Sequence, residues 1–340
     1  MLCAVLAVML ALGFVYREPI RMIWYSNVDP RQPLHVDGWT GGKTYQNIQY
    51  SAVSASNYLN LYVPDAQTPP PLLVLVHGGG FVLNDCESRQ AQLFYQYFRE
   101  HGWACATVNY RLAQEAVFPA ALEDVKCAIR FLRANAAVYG YDAEKIAVWG
   151  ESAGGYLAVM AGVTTDAEFN SLPFLGETEP VSAAVDAVVD YYGAVILETK
   201  EERHAAFRAI GVPAFVVDVA LGWLRDATKE LPWASSCEDA WIGRPIAELS
   251  AEERQRIQPL YYAAKNLAPG VGPAFLIRHG DADITVPRTQ SEALFETLIA
   301  TRGEAGADLA LVPNARHADE DMYSEAFLAG VQSWLETVCG

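Results

Sequence analysis

Basic residues are scarce in this chain: 24 Lys and Arg stand against 41 Asp and Glu in 340 residues, a formal net charge of −17. A surface of that sign repels phosphate backbones and anionic headgroups, which argues against nucleic acid as a partner and favours a neutral or cationic small molecule. Cysteine is also sparse. The six thiols (Cys3, Cys86, Cys105, Cys127, Cys237 and Cys339) form no C-x-x-C pair and no His/Cys cluster at zinc spacing, so they read as core or incidental residues, and neither a metal nor a cofactor is expected. No internal repeat or low-complexity segment is present.

No apolar run reaches the ~20 residues of a membrane-spanning helix. The longest, LCAVLAVMLALGFVY at residues 2–16, is apolar on every face, which no surface helix of a globular body would be. It has no Lys or Arg before it and no A-x-A site after it, unlike a secretory signal peptide. Arg17 and Arg21 on its far side favour a cytoplasmic body by the positive-inside rule. The reading adopted is an N-terminal hydrophobic anchor or signal-like segment over 1–17 that tethers an extracytoplasmic body, with a cytoplasmic location as the alternative. Residues 18–340 then form one folded domain. The sequence does not fix the oligomeric state.

What is abundant is apolar side chain, 52% of the sequence, enough for a large core. From residue 44 strand and helix patterns alternate. TYQNIQYSA and YLNLYVP read as a hairpin, and LLVLV follows Pro69, Pro70 and Pro71 as a buried strand. Helix, strand, helix and strand then succeed one another as ESRQAQLFYQYFREHG, ACATVNY, PAALEDVKCAIRFLRANAAVYG (opened by Pro119) and KIAVWG. A helix over 156–162 and the strand AVDAVVDYYG come next. After a long interruption the strands AFLIRHG and DLALVP alternate with the helices TQSEALFETLIATRG and SEAFLAGVQSWLETV. Strands separated by helices imply an α/β fold with a mostly parallel sheet covered on both faces and ligands at the strands' carboxyl ends.

Two motifs sit at such ends. Gly150-Glu151-Ser152-Ala153-Gly154 follows KIAVWG and matches G-x-S-x-G, in which a sharp strand-to-helix turn projects a serine hydroxyl and the flanking positions must be nearly free of side chain. His77-Gly78-Gly79-Gly80-Phe81 follows LLVLV, and its glycines can turn backbone N–H groups toward an oxyanion. Further along, Asp281 and Asp283 lie beyond AFLIRHG, and His317 lies beyond DLALVP as the only histidine downstream of both. His77 reads as a brace for its loop, His279 precedes the acid turn, and His35, His101 and His204 read as surface residues.

In these motifs the chain resembles the α/β-hydrolase esterases and lipases, among the hormone-sensitive-lipase-like carboxylesterases and nearest the bacterial feruloyl/acetyl esterase-like branch. PLLVLVHGGGF, the stretch from VNYRLAQEAVFPA to KIAVWGESAGG, and AFLIRHGDADITVPRTQSEALFETL carry the likeness, which spans about 44–338 and is weakest over 196–258. The resemblance implies the α/β-hydrolase fold and a Ser-His-Asp triad of Ser152, His317 and Asp283, the last selected by the H-G-x-x-D-x-x-V-P pattern from His279 to Pro287, with Asp281 as a turn residue. It places the oxyanion donors on Gly79, Gly80 and Ala153. Tyr110-Arg111 and Phe118-Pro119 also match and read as scaffold, and Glu151 as an accessory of the elbow.

Residues 196–258 are too many for a simple connection, and with Trp223, Trp233 and Trp241 they read as a helical cap insertion whose tryptophans form either its core or a wall against substrate. The function implied is hydrolysis of short-chain acyl esters, acetyl or feruloyl esters of carbohydrates included, with a small-molecule ester as partner. A serine peptidase on the same fold and a non-catalytic ligand-binding homologue are the alternatives. The first usually carries a further large domain, and the second tends to lose the nucleophile or base.

Overall fold

The computed structural model describes residues 39–222, 228, 231, 234–303 and 306–339. The apolar segment 2–16, Trp223 and Trp233 lie outside them. Among the described residues, no helix is long and apolar enough to cross a membrane.

Strand composition sets the centre of the sheet. Leu72–Val76 (β3) and Ile146–Glu151 (β5) are buried at every position, as strands covered on both faces must be. They pair in parallel with Val76 opposite Gly150, and Ala104–Val108 (β4) lies parallel to β3 on its other side. Gly42–Gln49 (β1) and Tyr58–Pro64 (β2) form the antiparallel pair expected of a hairpin. Ala187–Tyr191 (β6), Ala274–Gly280 (β7) and Ala307–Val312 (β8) extend the sheet in parallel beyond β5. The order is β1-β2-β4-β3-β5-β6-β7-β8, so the sheet is mostly parallel and the fold is that of an α/β-hydrolase.

Helices cover both faces because the apolar side chains alternate. Leu72, Val74 and Val76 share one apolar layer with Val125 and Ile129 of Ala120–Tyr139, the second helix after Arg89–Glu100 (α1; the second is α2), and with Leu157 of Ala153–Val163 (α3). Leu73, Leu75 and Trp149 point the other way, toward Phe94 and Phe98 of α1 and toward a layer containing Leu328, Val331 and Leu335 near the C-terminus. Chain order reverses between β4, β3 and β5, and the crevice at their carboxyl ends is where such sheets hold ligands.

The α3 boundary departs from expectation. The pattern predicted a start at Tyr156, after a glycine break, yet α3 begins at Ala153 with Gly154 and Gly155 in its first turn. A Cβ on Gly154 would lie 2.1 Å from the Val76 carbonyl oxygen, and one on Gly155 would lie 2.5 Å from Asp190 Oδ1. The glycines let the helix start press against β3 and β6, so they serve packing rather than helix breaking.

Between β6 and β7 the chain builds Lys200–Ala209 (α4), Ala214–Ala220 (α5), Cys237–Ile242 (α6), Ala251–Arg256 (α7) and Pro259–Asn266 (α8). Capping boxes open α4 and α7: Thr199 with Glu202, and Ser250 with Glu253. Thr289–Arg302 (α9) and Glu325–Cys339 (α10) follow β7 and β8. The described cysteines are all buried free thiols.

Candidate active site

Ser152 stands between the last residue of β5 and the first of α3 with φ 54° and ψ −118°, a strained backbone for a residue with a side chain. The surroundings over-determine it. Its N–H donates to the Tyr191 carbonyl at 2.9 Å, and its own carbonyl accepts from Tyr156 N at 3.1 Å and Ala194 N at 3.2 Å. The turn is so tight that a Cβ on Gly150 would come 2.1 Å from the Gly154 carbonyl oxygen. Glycine at 150 and 154 is therefore a steric requirement of the bend.

The turns after β7 and β8 bring two further side chains to this hydroxyl. His317 Nε2 lies 3.0 Å from Ser152 Oγ, and His317 Nδ1 lies 2.7 Å from Asp283 Oδ2. All three residues are buried. Asp283 is held from several sides: its Oδ1 accepts from Thr285 N at 2.7 Å and Val286 N at 3.0 Å, and His279 Nε2 approaches Oδ2 at 3.3 Å. Burial alone would raise its pKa, but the charge of His317 and the hydrogen bonds from both histidines outweigh that and hold the carboxyl well below the usual carboxylate range. Asp281 is elsewhere. It is exposed and accepts from Asn314 N at 2.6 Å, tying the two turns together.

The 77–81 loop lies beside the elbow. Gly79 and Gly80 have φ of 114° and 60°, and the Gly79 carbonyl accepts from Val82 N and Leu83 N at 3.1 and 3.0 Å. A Cβ on Gly79 would sit 2.4 Å from the Leu83 carbonyl oxygen. The loop and the elbow are locked to each other by Glu151, whose Oε1 accepts from Gly78 N at 2.8 Å and whose Oε2 accepts from the Tyr192 hydroxyl at 3.3 Å. Burial raises the Glu151 pKa against the pull of that N–H, the His317 charge and the tyrosine. His77 braces the loop as expected: its ring stacks on Tyr110 at 4.3 Å, and burial pushes its pKa down to about 4, so it is neutral. Tyr110 and Arg111 hold scaffold, through Tyr110 Oη on the His77 carbonyl at 2.9 Å and Arg111 Nη2 on buried Asp124 at 2.7 Å.

Ser152 and His317 open on a cleft with about 30 Å³ of free space, walled by Gly80, Phe81, Ala153, Thr285 and Val286 from the sheet side. Arg203, Leu221, Cys237 and Glu238 wall it from the segment between β6 and β7. Trp241 is fully buried in the apolar layer it shares with β3 and α3, its ring stacked on Phe81 at 4.2 Å and edge-on to Tyr156 at 5.1 Å. It is not among the residues that wall the cleft.

The sequence reading missed four residues of this neighbourhood. Tyr192 packs its ring edge-on against His317 at 4.7 Å and hydrogen-bonds Tyr323, and it stands just past the carboxyl end of β6, where the sheet rule points. Arg203 and Glu238 pair at 2.6 Å across 35 positions, and no local signal links them. Among the described residues, no cluster of His, Cys, Asp and Glu could hold a metal ion.

Known proteins place the geometry in context. The sequence model of the BD-FAE family matches residues 59–298. Esterase LipQ of Mycobacterium tuberculosis is 27% identical over 80% of this chain, and Esterase LipC of the same organism is 29% identical over 70%. The chain spans only 56% and 51% of the lengths of these two relatives. A solved truncated form of a carbohydrate esterase from gut microbiota superposes with a TM-score of 0.71 at 25% identity, over 89% of this chain and 98% of that one.

Proposed function

This chain belongs to the BD-FAE family of α/β-hydrolase esterases, and we propose that it is a serine carboxylesterase acting on short-chain acyl esters of carbohydrates. The observation that carries the reading is the continuous line from Ser152 Oγ through His317 to Asp283, at 3.0 and 2.7 Å, beside a loop of glycines. His317 Nε2 takes the hydroxyl proton as Ser152 Oγ attacks the ester carbonyl, and Asp283 holds the ring with Nδ1 protonated and stabilises the imidazolium. The tetrahedral oxyanion is received by the backbone N–H groups of Gly79, Gly80 and Ala153. His317 then returns the proton to the departing alcohol, and water, deprotonated in turn by His317, cleaves the acyl-enzyme.

The small cleft supports a short acyl group, and the 196–258 insertion acts as a cap that closes over it. The carbohydrate alcohol follows from the likeness to the gut-microbiota carbohydrate esterase. The experiment is a series of p-nitrophenyl esters of rising chain length with acetylated xylan and methyl ferulate, beside labelling with a fluorophosphonate. Turnover should be highest for acetyl or propionyl, with a single adduct on Ser152. An adduct on another residue, or wild-type turnover by Ser152→Ala, would refute the assignment.

A further inference from the structure

We propose that the chamber beside the Ser152 cleft is a leaving-group subsite for a sugar ring, and that Arg203, on the wall the two spaces share and paired there with Glu238 of the cleft, selects that ring by its hydroxyls. The inference rests on the esterase reading and adds to it where the alcohol binds and what recognises it. The chamber has a volume of about 380 Å³ and shares Arg203, Leu221 and Cys237 as walls with the cleft, whose own space of about 30 Å³ is too small for both halves of an ester. An acyl group on the Ser152 side therefore leaves the alcohol to the larger space, which is of the size that holds small ligands.

The chemistry of the walls argues for a neutral polyol. Arg203 and Glu238 meet at 2.6 Å with their side chains only 12% and 13% exposed, and Lys200 and His204 both approach Asp218, at 2.9 and 3.0 Å. Lys200 and Arg203 each have a carboxylate beside them, so an anionic alcohol would find no free countercharge in the chamber and would meet Asp218 on its wall. An alkyl alcohol would cover polar atoms and leave their remaining hydrogen-bonding capacity unmet. Adjacent hydroxyls, which donate and accept at once, match a wall that does the same. The pair is poorly explained as a fold stabiliser, because a buried ion pair gains little over apolar residues of the same shape. His204, expected at the surface, is drawn half-buried into this wall. Lys200 and Asp218 are about half exposed, so the chamber opens to solvent there and a chain longer than one ring can leave by that side.

The test compares two acetates that share an acyl group and a six-membered ring but differ in hydroxyls: methyl glucoside monoacetate and cyclohexyl acetate. The wild-type enzyme should favour the glucoside by at least about tenfold in kcat/KM. The double variant Arg203→Met/Glu238→Gln, which leaves no unpaired buried charge, should lower that ratio by ~10- to 100-fold, mainly through the KM of the glucoside. A wild-type ratio of one or less, or a ratio unchanged in the variant, overturns the subsite. Should the variant not fold in a thermal melt, competition on the wild type decides: methyl glucoside should inhibit more strongly than cyclohexanol, and the reverse order overturns the proposal. Cleavage of neither acetate, with Ser152 unlabelled by fluorophosphonate, overturns the esterase reading itself. Equal cleavage of both, with Ser152 labelled, overturns the subsite alone.

Discussion

Replacing Asp283 by Asn exchanges one oxygen for an amide nitrogen without changing the shape of the side chain, and the structure says which way the amide must face. Two backbone donors, Thr285 N at 2.7 Å and Val286 N at 3.0 Å, point at Oδ1, so the carbonyl oxygen of Asn stays there and the NH₂ turns toward His317. The flipped amide would set donor against donor at both contacts, a loss of two hydrogen bonds in a buried site. With an NH₂ at 2.7 Å, His317 Nδ1 must accept, which moves the ring proton to Nε2, the atom 3.0 Å from Ser152 Oγ. The base then carries the proton it is meant to receive. His279 Nε2, 3.3 Å from the same position, adds to the cost. The expected loss in kcat is of order 10³ to 10⁴, or about 4–5.5 kcal/mol, with little change in KM for p-nitrophenyl acetate. Asp281→Asn keeps an oxygen for Asn314 N on an exposed turn and should change kcat by less than about threefold. Both variants are assayed on one ester with a thermal melt as the folding control. A severe loss at 281 with a mild one at 283, or more than a tenth of wild-type kcat in Asp283→Asn, would refute the reasoning.

Two further outcomes concern the packing beneath the site. Gly154→Ala should cost ~3 kcal/mol or more, read by denaturant unfolding, because its methyl would sit 2.1 Å from the Val76 carbonyl; Gly140→Ala, with φ 94° but nothing within 4 Å of the added methyl, should cost only about 1 kcal/mol, and equal costs would contradict the steric argument. Asp190 is fully buried, and burial pushes its pKa up to about 7 against the opposing pull of His279 and the Gly193 N–H. An acid raised in the folded state keeps its proton there while the unfolded chain releases it near pH ~4, so its contribution to stability falls as pH rises from there to about 7. Asp190→Asn should therefore flatten the decline in unfolding free energy between about pH 4 and 7 by on the order of 3–4 kcal/mol, and a variant with the wild-type slope would rule this out.

Much of this architecture could be read before any coordinates, and the reasons are local. The strands β3 and β5 announce themselves because a strand buried on both faces must be apolar throughout, and the motifs at their ends contain the small residues that their turns require. Ser152 was singled out by the motif at the end of β5, and His317 by being the only histidine downstream of both aspartates. The choice between Asp283 and Asp281 was not so marked, since it depends on the N–H groups of Thr285 and Val286 converging on one carboxylate, and only the family pattern separated the two. Arg203 was hidden for a related reason. Its helix reads KEERHAAFRA, the pattern of a solvated face, and the partner that buries it lies on another helix between β6 and β7.

Several of the places where local rules mislead lie around the cleft. Ser152 has a positive φ that its residue type disfavours, Gly154 and Gly155 occupy a helical turn they should weaken, Glu151 is a carboxylate buried in a strand, and Arg203 is a charge drawn inside. All lie in the cleft or directly beneath it. A sequence selected for folding alone would relax each of these, since a residue with ordinary backbone at 152, a better helix former at 155, or an apolar pair in place of Arg203 and Glu238 would carry less strain or desolvation cost. Strain and buried charge persist where they hold something in position, and around the cleft the hydroxyl so held is that of Ser152.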